Sequence, residues 1–186
     1  MNRRDEVEML LRSREREQAE RIRTQGWRAA KLAQTAYRVG DKRSFFFEKW
    51  NDVEEQTISA TAIAVSNRAV AFVQDDLRAN ADNLSNDEIQ QLIDVFSDDF
   101  ELIKDIFGAP SDVDGDGKVL FLFTHLVDDI GGVAGFFSSS SVLSVENGGN
   151  GNHADMMFIS PTSSLSFSRS LLVHEFQHLI NFNQHV

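Results

Sequence analysis

The 186-residue chain contains no cysteine. Disulfides and thiolate metal sites are therefore excluded, and any metal must be held by His, Asp or Glu. No apolar run is long enough to span a bilayer, so a membrane partner is not expected. Residues 1–6, Met-Asn-Arg-Arg-Asp-Glu, lack the apolar core of a secretory signal. Two expectations follow: a cytoplasmic protein, or a true start upstream of this one. Positive charge is scarce beyond the first quarter. Residues 1–43 carry 12 Lys/Arg against 7 Asp/Glu, whereas residues 44–186 carry 6 against 22. So acidic a surface repels phosphate, and nucleic acid is excluded as an expected partner.

What is present suits one medium globular domain, with 41% hydrophobic residues. Residues 1–36 mix charges in a helical style, with Val7, Leu10, Leu11 and Ile22 as a thin apolar stripe. They read as a solvated helical arm or linker, or as a piece of a pro-segment or interdomain connector. After Gly40, Phe45-Phe46-Phe47 predicts a buried strand. Thr57–Val65 and Ala69–Val73 predict a hairpin through Ser66-Asn67-Arg68. Ser85 and Glu88 form a capping box ahead of Ile89, Leu92, Ile93, Phe96, Phe100, Ile103 and Phe107 at helical spacing. Gly108 and Pro110 end that helix. Val119–Phe123 is a continuous apolar run and predicts a central strand buried on both faces. Strands are also expected at Val133–Phe137 and Ala154–Ile159, with a Ser- and Gly-rich loop from Ser138 to Gly151 between them. A last helix is expected from about Ser166. The fold class is α+β: a mixed, mostly antiparallel sheet backed by the Ser85 helix, with the last helix below.

That last helix contains His174-Glu175-Phe176-Gln177-His178, an H-E-x-x-H pattern. Residues one turn apart share a helix face, so both imidazoles can reach one zinc ion at about 2.0–2.1 Å. Glu175, beside the first histidine, can take a proton from a water that the metal acidifies and pass it to a leaving amine. Leu171, Leu172 and Val173 before the motif, and Leu179, Ile180 and Phe182 after it, predict a buried helix. Two His and a Glu inside one are costly without a metal.

Catalytic zinc usually takes three protein ligands. His185 would lie about 10 Å along the axis from His178 on a continuous helix, so it requires a bend near Asn181. His153, Asp155 and His125 are weaker candidates. The preferred expectation is a Glu on a later helix, beyond Val186.

These residues, with Leu179-Ile180-Asn181-Phe182-Asn183, resemble the hyicolysin family of bacterial zinc metallopeptidases. Val133–Phe137, Asn152–Ile159 and Asp112–Lys118 with the strand after it also fit, and the likeness covers residues 37–186. The resemblance implies a zincin-like catalytic domain of gluzincin type over 37–186, incomplete at its C-terminus. It implies one zinc on His174 and His178, Glu175 as the catalytic base, a protein or peptide substrate, and a secreted or cell-surface gene product. Zincins bind substrate along an edge strand, and Val133–Phe137 is the candidate for it. The Ser138–Gly151 loop either flanks that cleft or is a plain linker. The alternative reading is a truncated, non-catalytic remnant that binds zinc weakly or not at all.

Asp112, Asp114 and Asp116 with Gly117 match the first half of an EF-hand loop, but the twelfth residue is Phe123 rather than an acid. The EF-hand reading fails there. A tight turn before Val119 is the first expectation, and a calcium site completed by other residues is the lesser one.

Overall fold

A computed structural model describes residues 2–25, 36–50 and 53–185. The stretch 26–35 of the expected arm lies outside the described residues. Helix α1 spans Arg3–Gln25 and is followed by strands β1 (Lys42–Phe47), β2 (Gln56–Val65) and β3 (Ala69–Gln74). Helix α2 (Asn86–Phe107) precedes β4 (Val119–Phe123), α3 (Leu126–Ile130) and β5 (Gly135–Phe137). Then come α4 (Ser139–Val142), β6 (Met156–Ile159) and α5 (Leu165–Gln184).

The six strands form one sheet in the order β1-β2-β3-β4-β6-β5. The β2–β3 hairpin is antiparallel, as are β1–β2 and β5–β6. β3–β4 and β4–β6 are parallel, which requires the long crossovers that α2 and the α3–α4 segment provide. β4 lies inside the sheet, and all five of its residues are buried. Its continuous apolar run has this cause: Val119, Phe121 and Phe123 face one core, and Leu120 and Leu122 the other.

α2 and α5 both pack on the first of these faces. Phe96 meets Phe121 edge-on with ring centroids 5.0 Å apart, and Phe176 of α5 sits 5.1 Å from Phe96 and 5.3 Å from Phe100. This aromatic knot fixes α5 against α2. The capping box of α2 is complete, with Ser85 accepting from the Glu88 N–H and Glu88 accepting from the Ser85 N–H.

Three sequence expectations are corrected. First, the stripe on α1 is not solvated: Val7 and Leu11 join one core, and Ala19 and Ile22 the other. Leu10 points outward, and the row continues through Glu15 instead. α1 serves both cores and meets the chain on either side of β5, at Ile130 and at Ser139. Second, Ser138–Gly151 is not a featureless loop. It holds α4, whose serines are buried, and a 3-10 turn at Val145–Asn147. Third, α5 is buried on one side only. Leu172, Glu175, Phe176, Leu179 and Ile180 face inward, whereas Leu171 and Val173 are partly open and His174 is exposed. Helix α3 carries only one short turn of apolar residues, too little for a periodic signal.

Phe176→Ala is expected to destabilise the chain by about 3–5 kcal/mol, the usual cost of emptying a large aromatic site. Urea unfolding followed by circular dichroism measures it. A loss below about 1 kcal/mol would show that the aromatic knot does not anchor α5.

Candidate metal centre

His174 and His178 project from one flank of α5, a single turn apart. Their Nε2 atoms approach to 3.2 Å, with the rings edge to face. A tetrahedral ion bound at about 2.0–2.1 Å holds its ligand nitrogens about 3.3 Å apart, so the pair has the separation one shared ion requires. His178 is largely enclosed. Burial pushes its pKa down to about 3, helped by Arg12 and by His174. Its ring is therefore neutral at physiological pH, and a neutral imidazole has the lone pair that a metal needs.

Glu175 points the other way, into the protein, and is only 2% exposed. One carboxylate oxygen accepts the Phe137 N–H at 3.0 Å, which ties the helix to strand β5. The other lies 4.0 Å from His174 Nε2. Burial raises its pKa to about 7, opposed by the Phe137 N–H and Arg12 and reinforced by Glu8 and Glu15. A carboxylate poised there can both take and return a proton near neutrality.

β5 pairs with β6 alone among the described strands and forms the edge next to this site. The segment expected as a strand at Val133–Phe137 is thus an edge strand, shortened to Gly135–Phe137. The other histidines stand elsewhere. α5 runs unbroken through Asn181, and His185 at its end approaches the Asn181 carbonyl at 2.7 Å, so the bend that a His185 ligand needs does not occur. Asp155 groups with Asp112 and Asp114 instead. His125 starts α3, and His153 has a left-handed backbone at φ 45°. Neither belongs to a group of three metal-competent side chains among the described residues, and the group at α5 joins His174 and Glu175 with Glu8 while leaving out His178.

The residue that sequence reasoning missed is Glu8. Its carboxylate lies with a His174 ring nitrogen and a Glu175 oxygen, all within 4.8 Å of one another. Arg12 and Glu15, one and two turns on, face the same place. Arg12 pairs with Glu15 and stands 3.6 Å from Glu8. No local pattern marks Glu8, because only the docking of α1 brings it there.

No protein-family model matches the chain. The neutral metalloprotease ShpI of Staphylococcus hyicus is 32% identical over 96 residues, which cover 45% of this chain and 21% of that protein. The matched part thus spans about a fifth of the relative's length. The chain is a distant, partial homologue of that metalloprotease. No helix among the described residues is long and apolar enough to cross a membrane.

Glu175→Gln is expected to stabilise the metal-free protein at high pH. Its carboxyl titrates near 7 when folded against about 4.5 when unfolded, so ionising it costs stability progressively as pH rises through that window. The gain should be near zero at pH 4 and reach up to about 3 kcal/mol at pH 8, at about 1.4 kcal/mol per unit. Urea midpoints of both proteins in chelator at the two pH values check this, and an equal difference at both would refute it.

Proposed function

We propose that residues 37–186 form a zincin-like peptidase domain whose centre is a zinc site on His174 and His178, with Glu175 as general base. The observation that carries this reading is the 3.2 Å approach of two imidazole Nε2 atoms beside a buried carboxylate. The partial similarity to a neutral metalloprotease supports the same class.

A zinc ion bound there would supply Lewis-acid polarisation of the scissile carbonyl and acidify the attacking water. The protein's residues do the rest. His174 and His178 hold the ion from one helix turn. The edge of β5 offers main-chain groups along which an extended peptide can add as a further strand. Glu175, held by the Phe137 N–H, takes the proton of the attacking water and delivers it to the leaving amine. Its raised pKa matches that double duty near neutrality.

Glu175→Gln is expected to lower peptide hydrolysis by about 10²–10⁴-fold while zinc content stays stoichiometric. His174→Ala and His178→Ala are expected to lose zinc, measured by metal analysis after gel filtration. Wild-type activity in Glu175→Gln would rule out the mechanism. A folded protein that holds no zinc would favour the remnant.

A further inference from the structure

We infer a second metal site, a calcium site, in which Asp155 completes the half-loop of Asp112, Asp114 and Asp116. The first three acids come from the turn before β4. Asp155 comes from the segment before β6, and its backbone carbonyl accepts the Leu120 N–H at 2.8 Å. Carboxylate oxygens of Asp112, Asp114 and Asp155 all lie within 4.8 Å of one another. The parallel pairing of β4 with β6 thus delivers the acid that the loop's own twelfth position lacks.

The cluster is built to be filled. Asp114 is 7% exposed and Asp155 1%, so neither charge is left to solvent. Asp114 Oδ1 and Asp116 Oδ2 are buried with no hydrogen-bond partner. Buried oxygens without partners are costly, and clustered carboxylates repel, unless a cation joins them. The remaining oxygens shape the loop. Asp112 accepts the Gly117 N–H, Asp116 the Lys118 N–H, and Asp155 the Val113 N–H and the Ser111 hydroxyl. The nearby cations are committed elsewhere. Lys118 donates to the Ser66 and Asn67 carbonyls, and Arg43 to Tyr37 and the Asn152 carbonyl. An all-oxygen set of this size suits calcium, which takes six to eight such ligands in flexible geometry. Bound calcium would clamp the starts of β4 and β6 together, at the root of the strand that leads into α5.

The test is a calcium titration of the chelator-stripped chain by calorimetry, with thermal unfolding alongside. One calcium per chain and a rise in Tm are expected. Asp114→Asn and Asp155→Asn should each weaken binding tenfold or more, and Glu101→Gln should not. Asp114→Asn removes no partner from the free Oδ1, so it decides the matter if Asp155→Asn fails to fold. The response should persist in His174→Ala, which separates it from the zinc site. No saturable binding by the folded wild type, or wild-type affinity in Asp114→Asn, would overturn the inference.

A different observation carries a second inference, which rests on the zinc reading above. We propose that α1 holds the peptidase site shut, with Glu8 supplying a carboxylate ligand where substrate and water would otherwise enter. Glu8 lies beside His174 and Glu175, while His178 falls outside that cluster, so Glu8 approaches the ion's place from the His174 side. α1 meets the chain on either side of the β5 edge that the substrate would need: Arg3 Nε donates to the Ile130 carbonyl at 3.0 Å, and Gly132 abuts the Arg4 backbone. Gly132 is tight enough that a Cβ there would meet Arg4 N at 2.9 Å. Further along, Arg14 pairs with Glu48 at 3.0 Å, and Ser139 donates to Gln18.

Cobalt-substituted chain reports the ligand set directly. Glu8→Gln should change the visible cobalt spectrum and weaken zinc about tenfold in competition with a chromogenic chelator. Leu11→Asp, which unseats the helix, should do the same and raise peptide turnover. If His174→Ala abolishes zinc binding while Glu8→Gln and Leu11→Asp leave spectrum and affinity unchanged, this inference falls and the zinc site stands. If the wild type holds no zinc, both fall.

Discussion

A carboxylate buried at 2% exposure against an edge strand is the constraint around which this molecule is arranged. Left alone, Glu175 would carry a desolvation cost of several kcal/mol. One main-chain N–H from Phe137 and a distant guanidinium, Arg12, offset part of it. The rest of α5 must hold the group in place. Phe176, the next residue, enters the ring cluster of Phe96, Phe100 and Phe121, and Leu172 and Leu179 bracket it on the same face. With that face committed, His174 and His178 stand on the other flank, where His174 is half open to solvent and lies beside Glu8 of α1. Burial of aromatic area thus sets the direction of the polar chemistry.

Much of this was legible in the sequence because it is local. A helix period runs through α2 from Ile89 to Ile103, and its capping box needs only Ser85 and Glu88. The fully buried run of β4 announces a central strand before any partner is known. The two histidines are joined by helix geometry alone. What stayed hidden depends on tertiary contact. The row Val7, Leu11, Glu15, Ala19, Ile22 is a helical stripe, but a buried Glu in its middle and seven arginines in α1 disguise it as a solvated surface. Counting Leu10 instead of Ala19 widened and blurred that row. Glu15 survives there because Arg12 pairs with it, although burial still raises its pKa.

The same reasoning explains why the acidic turn was half readable. Asp112 to Gly117 is contiguous, so its loop character shows at once. Asp155 is far along the chain and reaches the turn only because β4 and β6 run parallel, with Leu120 beside Met156. Parallel neighbours are separated by a whole crossover, and no short-range spacing encodes them. Asp155 looked like a weak zinc candidate for want of this register.

The strength of α1 docking can be judged from what it buries. Its ion pairs with the body, such as Arg14–Glu48, are partly exposed, and pairs of that kind contribute about 0–1 kcal/mol each. The cation–π contact of Arg14 over Trp50, at 4.6 Å, adds about 0.5–1 kcal/mol. The larger share comes from Val7, Leu11, Ala19 and Ile22, at about 1.5–3 kcal/mol for each full-sized side chain. The charges then select where it sits rather than how firmly. A segment rich in arginine settles on the acidic body, and its own Glu8 falls beside His174 and Glu175.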